Sequence, residues 1–288
     1  MSRYRIRRLG AKAKVAILLI CGMLAVSGTA FADTVRIGGT GAALGTVKLL
    51  AEALSKVDPQ FSLEVVPNLG SNGGLKALAR DAIQLAVISR PIKPEEAAQG
   101  LVAIEYGKTP FVLATATPGI GGLDLGQIAE IYAGKRTVWP DGTPIRLVLR
   151  PANDGDTDYL AAFSPAVKEG LARAMAREGM VTGVTDQESA NEIERLKGGF
   201  GSSSLALIKS EKRHLVALPI GGVAPSVANL ANGTYPYTKP MYMVTKGTMP
   251  AAVAKFIAFV RSAEGRRILV DNGHWVTDTP DSRVAKAR

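Results

Sequence analysis

The sequence is poor in the side chains that carry covalent or metal chemistry. Its 288 residues include one cysteine, Cys21, and two histidines, His214 and His274. The chain beyond Cys21 has no thiol for a disulfide, a cysteine nucleophile or a cysteine-ligated zinc ion. Neither histidine has a second histidine or a cysteine at metal-ligand spacing. We therefore expect no metal and no cofactor.

The chain also lacks an apolar run of about 20 residues, the length that a membrane-spanning helix needs. A shorter apolar run, Val15 to Val26, follows a cluster of basic residues and precedes Ala30-Phe31-Ala32, which has the small-x-small pattern of a signal peptidase site. We predict a signal peptide over residues 1–32, cleavage after Ala32 and a soluble protein in the periplasm.

Aromatic residues and concentrated charge are scarce as well. Aromatics make up 6% of the chain, and the formal net charge of +10 overstates its basicity. Six of the 35 basic residues and none of the acidic ones precede residue 33, which leaves 29 basic against 25 acidic residues. A small, scattered excess with few aromatics argues against nucleic-acid binding and is compatible with a small acidic ligand.

Two glycine-bearing turns stand out among the residues that are present. Gly38 to Ala43 and Leu69 to Gly74 each lie between a short apolar run and a helix-like stretch. A helix start leaves backbone N–H groups unpaired and carries about half a positive charge, and glycine lets a small oxyanion approach these amides. Each turn alone is also compatible with ordinary strand-to-helix geometry. Together they predict an anion site.

Short β-like runs alternate with helix-like stretches along the rest of the chain. We predict a strand over Thr34 to Ile37, helices over Leu44 to Lys56 and Leu75 to Arg80, and two separate strands over Val102 to Glu105 and Phe111 to Ala116. This βαβα order predicts an α/β fold with mixed sheets covered by helices.

The same pattern predicts two lobes. We assign residues 33–116 and 223–288 to lobe 1 and residues 117–222 to lobe 2, with glycine-containing segments at the boundaries. Two crossings between lobes form a hinge, so a ligand that contacts both lobes favours the closed state.

Several motifs together resemble the phosphate-binding proteins of ABC importers, which have the type II periplasmic binding-protein fold. These motifs are Gly38 to Ala43, Leu69 to Lys76, Ala86 to Pro91, Ile128 to Lys135 with Trp139, Asp141 to Ile145, and Arg150.

The resemblance implies a monomeric receptor, not an enzyme, that captures a small oxyanion between its lobes and presents it unchanged to a membrane permease. Phosphate is the favoured ligand. Backbone amides of the first turn, a serine hydroxyl and an arginine fork that binds two oxygens at once would hold it. The predicted ligand-binding residues are Thr40, Gly41, Ala42, Ala43, Ser71, Ser89, Arg90, Arg150, Gly155, Asp156 and Thr157.

The sequence departs from the family pattern near the expected ligand. Ala42 and Ala43 stand where the family has a hydroxyl-bearing residue, and Arg90 stands where it has an aspartate that accepts the proton of monohydrogen phosphate. We hypothesise that Asp156 replaces this acceptor and that Arg90 offsets its charge. The replacement Asp156→Asn should then weaken binding of a protonated oxyanion more than binding of sulfate.

Other functions stay open at this stage. The ligand could be sulfate, molybdate or a small organic acid, and the role could be sensory. A secreted hydrolase that uses Asp154 and Asp156 as acid and base is a rival from another class, although no nucleophile with a base accompanies them. A calcium loop around these aspartates is disfavoured, because Tyr159 stands where such a loop needs glycine.

Overall fold

The computed structural model describes residues 34–276. The predicted signal peptide and its cleavage site lie outside the described residues. Within residues 34–276, no helix combines the length and the apolar character that crossing a bilayer requires.

Strands and helices alternate along the described residues. The strands are β1 (Thr34–Gly39), β2 (Ser62–Val66), β3 (Leu85–Ile88), β4 (Leu101–Thr115), β5 (Arg146–Leu149), β6 (Val181–Thr182), β7 (Gly199–Ser204), β8 (Val216–Ala217) and β9 (Thr238–Lys246). The helices are α1 (Gly41–Val57), α2 (Gly70–Ala79), α3 (Pro94–Ala97), α4 (Leu125–Ala133), α5 (Gly155–Ala161), α6 (Pro165–Met175), α7 (Asp186–Arg195), α8 (Leu205–Ser210), α9 (Val227–Ala231), α10 (Ala251–Arg261) and α11 (Ala263–Asp271).

The strands form a mixed sheet in the order β2-β1-β3-β9-β4-β7-β5-β6, and β8 pairs with β4 at its side. The pairs β1–β2, β1–β3, β5–β6 and β5–β7 are parallel, whereas β9 and β4 pair antiparallel with each other and with their outer neighbours. Each end of the sheet is therefore a set of parallel strands with connecting helices. This arrangement confirms the predicted mixed α/β fold class.

Strand β4 corrects the prediction of two strands at this point. It runs without interruption from Leu101 to Thr115, pairs with β9 along its first part and with β7 along its last part. Gly107 and Pro110 interrupt the apolar pattern in the sequence, but a register shift between Glu105 and Gly107 absorbs the irregularity and the strand continues. One strand thus belongs to both ends of the sheet.

The buried apolar residues form cores on both sides of the β4–β9 pair. Ile37, Leu50 and Phe256 belong to a core around β1 and α1. A second core, which contains Phe111 and Tyr235, surrounds α4, α6 and β7. The predicted boundaries assign both of these aromatic residues to lobe 1, and the lobe boundaries stay a prediction.

Helices α1 and α2 begin earlier than predicted. The prediction placed their starts at the first apolar residues, Leu44 and Leu75, whereas the helices begin at Gly41 and Gly70. The predicted glycine turns are therefore largely the first turns of helices. Like α5 and α7, they start just beyond the carboxyl end of a parallel strand, where α/β sheets bind their ligands.

Candidate functional site

Four helix N-termini open onto one cleft of about 320 Å³. Residues from the first turns of α1, α2, α5 and α7 line it, and these helices belong to opposite ends of the sheet. Each N-terminus carries partial positive charge and backbone N–H groups without an intrahelical acceptor. The four N-termini therefore contribute positive potential to a cleft that is also lined by Arg90, Lys93 and Arg150 and by the carboxylates of Asp154, Asp156, Asp158 and Asp186.

Two of these N-termini lack a side-chain cap. Thr40 and Leu69, which precede α1 and α2, make no capping hydrogen bond, whereas Asp154 and Thr185 cap α5 and α7. At α2, the amides of residues 71 and 72 have no acceptor among the described residues. The α2 end therefore presents unpaired donors to the cleft.

Arg150 follows β5 and is buried at the floor of the cleft. Its Nε and Nη2 donate to the two carboxylate oxygens of Asp154 at 3.2 and 2.9 Å, and its Nη1 donates to the carbonyl oxygen of Gly183 at 2.9 Å. Burial opposes its charge, but three neighbouring carboxylates raise the pKa of the guanidinium. Of its five N–H groups, one on each terminal nitrogen has no partner within residues 34–276. The side chain is thus fixed in place with two donors left.

A buried lysine links two aspartates beside this arginine. The Nζ atom of Lys239, on β9, lies 2.5 Å from Oδ1 of Asp156 and 3.3 Å from Oδ1 of Asp186. Burial raises the pKa of Asp156 to about 6, although the attraction of Lys239 opposes this shift. For Asp186, burial acts in the same direction, but Lys239 and Arg150 outweigh it and lower the pKa. Asp186 is therefore ionised at neutral pH.

Asp186 also contacts the first turn of α1. Its Oδ2 accepts a hydrogen bond from the amide of Ala42 at 3.3 Å and one from Oγ1 of Thr40 at 3.4 Å. The next residue, Gln187, donates from Nε2 to the carbonyl oxygen of Gly41 at 3.0 Å. A β-carbon at Gly41 would lie only 2.8 Å from Cβ of Asp186, an atom fixed by the backbone of α7, so this close approach requires glycine. Helices α1 and α7 thus meet at their N-termini.

The structure brings most of the predicted ligand-binding residues to the cleft. Thr40, Gly41, Ser71, Ser89, Arg90, Arg150, Gly155 and Asp156 line it. Ala42, Ala43 and Thr157 do not, and their polar groups already have partners. The Ala42 amide donates to Asp186, the Ala43 amide donates to the carbonyl oxygen of Thr40, and the Thr157 hydroxyl donates to that of Pro151.

The expected pairing of Arg90 with Asp156 is wrong. The Arg90 guanidinium instead makes two hydrogen bonds with Glu96, at 2.7 and 2.9 Å, and two with the side-chain oxygen of Asn72. The cation that contacts Asp156 is Lys239. Arg90 therefore lines the cleft as part of a local ion pair.

The two carboxylates of the hydrolase alternative are also paired with cations. Asp154 receives the fork of Arg150, and Asp156 contacts Lys239. A general acid or base needs a carboxyl that is free to exchange its proton with a substrate. The geometry favours a binding role for this cluster over acid–base chemistry.

The sequence interpretation missed Lys239 and Asp186 as site residues. A pattern in β9 could have revealed the lysine, because Lys239, Met241 and Met243 alternate along the strand and so share one face. That face is buried, and a buried lysine requires carboxylate partners. Nothing comparable in the sequence marks Asp186, which begins a helix after Thr185 as many aspartates do.

Tyr159 is another missed residue that links opposite ends of the sheet. Its hydroxyl donates to the carbonyl oxygen of Ser89 at 2.6 Å. Ser89 follows β3, and its amide donates to Oγ of Ser71 at 3.2 Å. The contact joins α5 to the segment that supports the α2 N-terminus.

Comparisons with known proteins agree with this architecture. The model of the PBP superfamily domain matches residues 25–264. The phosphate-binding protein PstS of Bacillus subtilis is 24% identical over 268 residues, which cover 88% of this chain and 85% of that protein. Protein SphX of Synechococcus elongatus is 26% identical over 242 residues, which cover 75% of this chain and 70% of that protein.

Solved structures show the same fold. The crystal structure of a phosphate ABC transporter substrate-binding protein from Clostridium perfringens with bound phosphate has a TM-score of 0.72 at 23% identity, and the match covers 85% of this chain and 100% of that chain. These matches confirm the resemblance to phosphate-binding proteins that the sequence motifs indicate. The extent of the family match decides the assignment: the chain belongs to the PBP superfamily.

Proposed function

We propose that this protein is a periplasmic solute-binding receptor that captures phosphate in the cleft and presents it to the membrane permease of an ABC importer. The observation that carries the proposal is the pair of unpaired N–H groups on Arg150, at the same cleft as the unpaired amides of the α2 N-terminus. The names of the PstS relative and of the structure with bound phosphate support phosphate as the ligand.

The donors are sufficient in number for a useful affinity. A hydrogen bond to a charged group contributes about 1.5–3 kcal/mol, and micromolar binding requires about 8 kcal/mol. Two N–H groups of Arg150 with the amides of Ser71 and Asn72 supply four such bonds. The site reaches this range without a hydroxyl in the first turn of α1.

Asp156 gives the site a means to prefer a protonated oxyanion. Its Oδ1 contacts Lys239, but its Oδ2 is buried without a hydrogen-bond partner among the described residues. Above its pKa of about 6 this carboxylate is an acceptor. A hydroxyl of monohydrogen phosphate would satisfy it, whereas sulfate has no proton to donate and would leave two negative groups facing each other.

The protein releases its ligand unchanged, since a transport receptor binds its ligand and does not react with it, and we propose that it acts as a monomer. The predicted signal peptide supports a location in the periplasm, where the protein would meet the permease. The pairing of Asp154 and Asp156 with cations supports a role without catalysis.

Calorimetric titration with phosphate, sulfate and molybdate at pH 8 tests the proposal, using protein purified from the periplasm and freed of bound anion. We expect saturable phosphate binding and weaker sulfate binding. The variant Asp156→Asn should weaken phosphate binding more than sulfate binding. Equal losses would remove the proton-acceptor role, and tighter binding of sulfate or molybdate would reassign the ligand. Absence of binding to all three anions would refute an oxyanion receptor.

A further inference from the structure

The N-termini of α1 and α7 meet beside the cleft, with a carboxylate between them. Both helix ends carry partial positive charge and repel each other unless an anion lies between them. The side chain of Asp186 supplies this anion, because Oδ2 accepts from the Ala42 amide and the Thr40 hydroxyl while Oδ1 faces Lys239. The chain thus carries an internal ligand at one of its own anion-binding positions.

The charge of Asp186 is fixed by its surroundings. The side chain is buried, and Lys239 and Arg150 both favour its ionised form. Thr40 makes no capping hydrogen bond to its own helix, so the carboxylate of Asp186 takes the place of a conventional cap at α1.

We propose that Asp186 is a built-in anion that reserves the first turn of α1 and limits the affinity of the cleft for external oxyanions. This inference rests on the proposed function and refines it, because it assigns the ligand to the Arg150 and α2 side of the cleft. The donors at Thr40 and Ala42 stay with Asp186 when the ligand binds. The fixed negative charge repels the ligand, and most strongly one that carries several charges.

Two other roles for Asp186 make opposite predictions. If it were a ligand contact that accepts a proton, its removal would weaken phosphate binding. If it only joined α1 to α7, its removal would lower stability and leave the affinity of the folded protein unchanged. A built-in anion predicts tighter binding when its charge is removed.

The first test is calorimetry on the full protein with inorganic phosphate and sulfate at pH 8 and low salt. At this pH Asp156, with a pKa of about 6, stays ionised, so its titration does not confuse the comparison. We expect Asp186→Asn to bind both anions about fivefold more tightly, the order of effect that one like charge produces across a partly screened cleft. Unchanged or weaker binding by a folded variant overturns the proposal.

Glu188→Gln is the matched control. Glu188 lies two residues further along α7, is exposed and does not line the cleft, and its side chain accepts from the amides of Val184 and Thr185. Glutamine can also cap a helix in this way, so the variant removes one charge and keeps the helix start. We expect its affinity to stay within about twofold of the wild type, because solvent screens this charge. A gain equal to that of Asp186→Asn would assign the effect to net charge alone and refute the proposal.

Amide hydrogen exchange provides a second test that does not depend on affinity. In the ligand-free protein, the Ala42 amide should exchange faster in Asp186→Ala than in the wild type. In the wild type, phosphate should slow exchange at Ser71 and Asn72 and leave Ala42 unchanged. Protection of Ala42 by phosphate would show that the ligand displaces Asp186. If the wild type binds no oxyanion, the proposed function fails, while the ligand-free comparison still decides whether Asp186 holds this amide.

Discussion

A single buried lysine is the ion-pair partner of two aspartates at the cleft. Lys239 is 1% exposed and contacts Asp156 and Asp186, which come from different helices. Removing one partner of a buried ion pair typically costs several kcal/mol because it leaves an uncompensated charge, whereas the intact pair adds little net stability. The cluster therefore specifies an arrangement of side chains more than it stabilises the fold.

Arg150 differs from lysine in geometry and not only in charge. Its planar fork pairs with Asp154 and still has two N–H groups for a ligand. Lysine has no such fork, so we expect Arg150→Lys to lose at least one charge-assisted hydrogen bond and to bind phosphate about 10–100-fold more weakly. Arg146→Lys, an exposed position on the same strand, is the control for calorimetry and should bind like the wild type. Equal affinities for the two variants would exclude Arg150 from the ligand site.

The burial of His274 predicts that the stability of the protein falls as the pH decreases. The histidine is fully buried beside Thr46, and burial lowers its pKa from 6.5 to about 3. Between these values the unfolded chain binds a proton that the folded chain does not, so stability falls as pH decreases, by up to about 1.4 kcal/mol per unit. The stability that is lost on acidification is fully present above pH 6.5, where His274 is neutral in both the folded and the unfolded chain.

Chemical denaturation between pH 4 and pH 8 measures this slope. Carboxylates with lowered pKa values, such as Glu96, add a slope of the same sign, so the comparison needs a variant. His274→Gln should lower stability at pH 8 and show a shallower decline on acidification. His214→Gln, at an exposed position, should keep the wild-type slope. A wild-type slope in His274→Gln would contradict the prediction.

At the scale of elements, the position of α2 depends on its contact with the end of β1. A β-carbon at Gly74 would lie 2.8 Å from Cα of Gly39, whereas one at Gly73 would meet only Leu69, at an ordinary distance of 3.4 Å. The backbone at Gly39 cannot retreat, because it packs against Val87 in the neighbouring strand. The absence of a side chain at Gly74 thus sets the distance of the α2 N-terminus from the cleft.

These adjacent helical glycines make a matched pair for mutation. We expect Gly74→Ala to destabilise the protein by about 1–3 kcal/mol through overpacking, and to weaken phosphate binding by displacing α2. Gly73→Ala should be neutral or stabilise by up to about 1 kcal/mol, because alanine favours the helix. Urea denaturation and calorimetry check both variants. Similar stabilities would mean that α2 is free to shift away from β1.

The sequence predicts the elements that have strong patterns and misses those that do not. Strands β1, β3 and β5 are apolar runs, and Arg150 at the end of β5 lines the cleft, while its contact with a ligand stays a prediction. Strand β7 has the sequence GFGSSS, which is weak in β-propensity, and yet all six residues are buried in the centre of the sheet. Tertiary packing determines this strand.

The charge cluster illustrates the limit of local reasoning about the site. Lys239 and Asp186 are 53 residues apart in the chain. No local pattern pairs them, because the contact exists only after β9 reaches the centre of the sheet. The glycine-bearing turns were predictable since their chemistry is local, whereas the choice of Lys239 over Arg90 as the partner of Asp156 depends on topology.

For the molecule as a whole, the continuous β4–β9 pair predicts cooperative unfolding. The two tryptophans report on different regions, because Trp139 is buried near Phe200 and Trp275 pairs with Lys108 on β4. We expect Trp139→Phe and Trp275→Phe, each with one remaining tryptophan, to give the same fluorescence midpoint in denaturant.

Phosphate should raise both midpoints together. A ligand at a hundred times its dissociation constant adds about 2.7 kcal/mol to the free energy of unfolding. Far-ultraviolet circular dichroism should coincide with both fluorescence transitions. Separate midpoints, or a phosphate effect on only one tryptophan, would show that the two ends of the sheet unfold independently.

The helix N-termini at the cleft have a consequence for how such a receptor diverges over time. A main-chain amide is present whatever side chain follows it, proline excepted, so most substitutions in these first turns leave the donor in place. Substitutions in these turns therefore change anion binding little, as long as each helix begins at the same position. Relatives with 24% and 26% identity can share this architecture because main-chain amides, and not particular side chains, supply much of the binding chemistry.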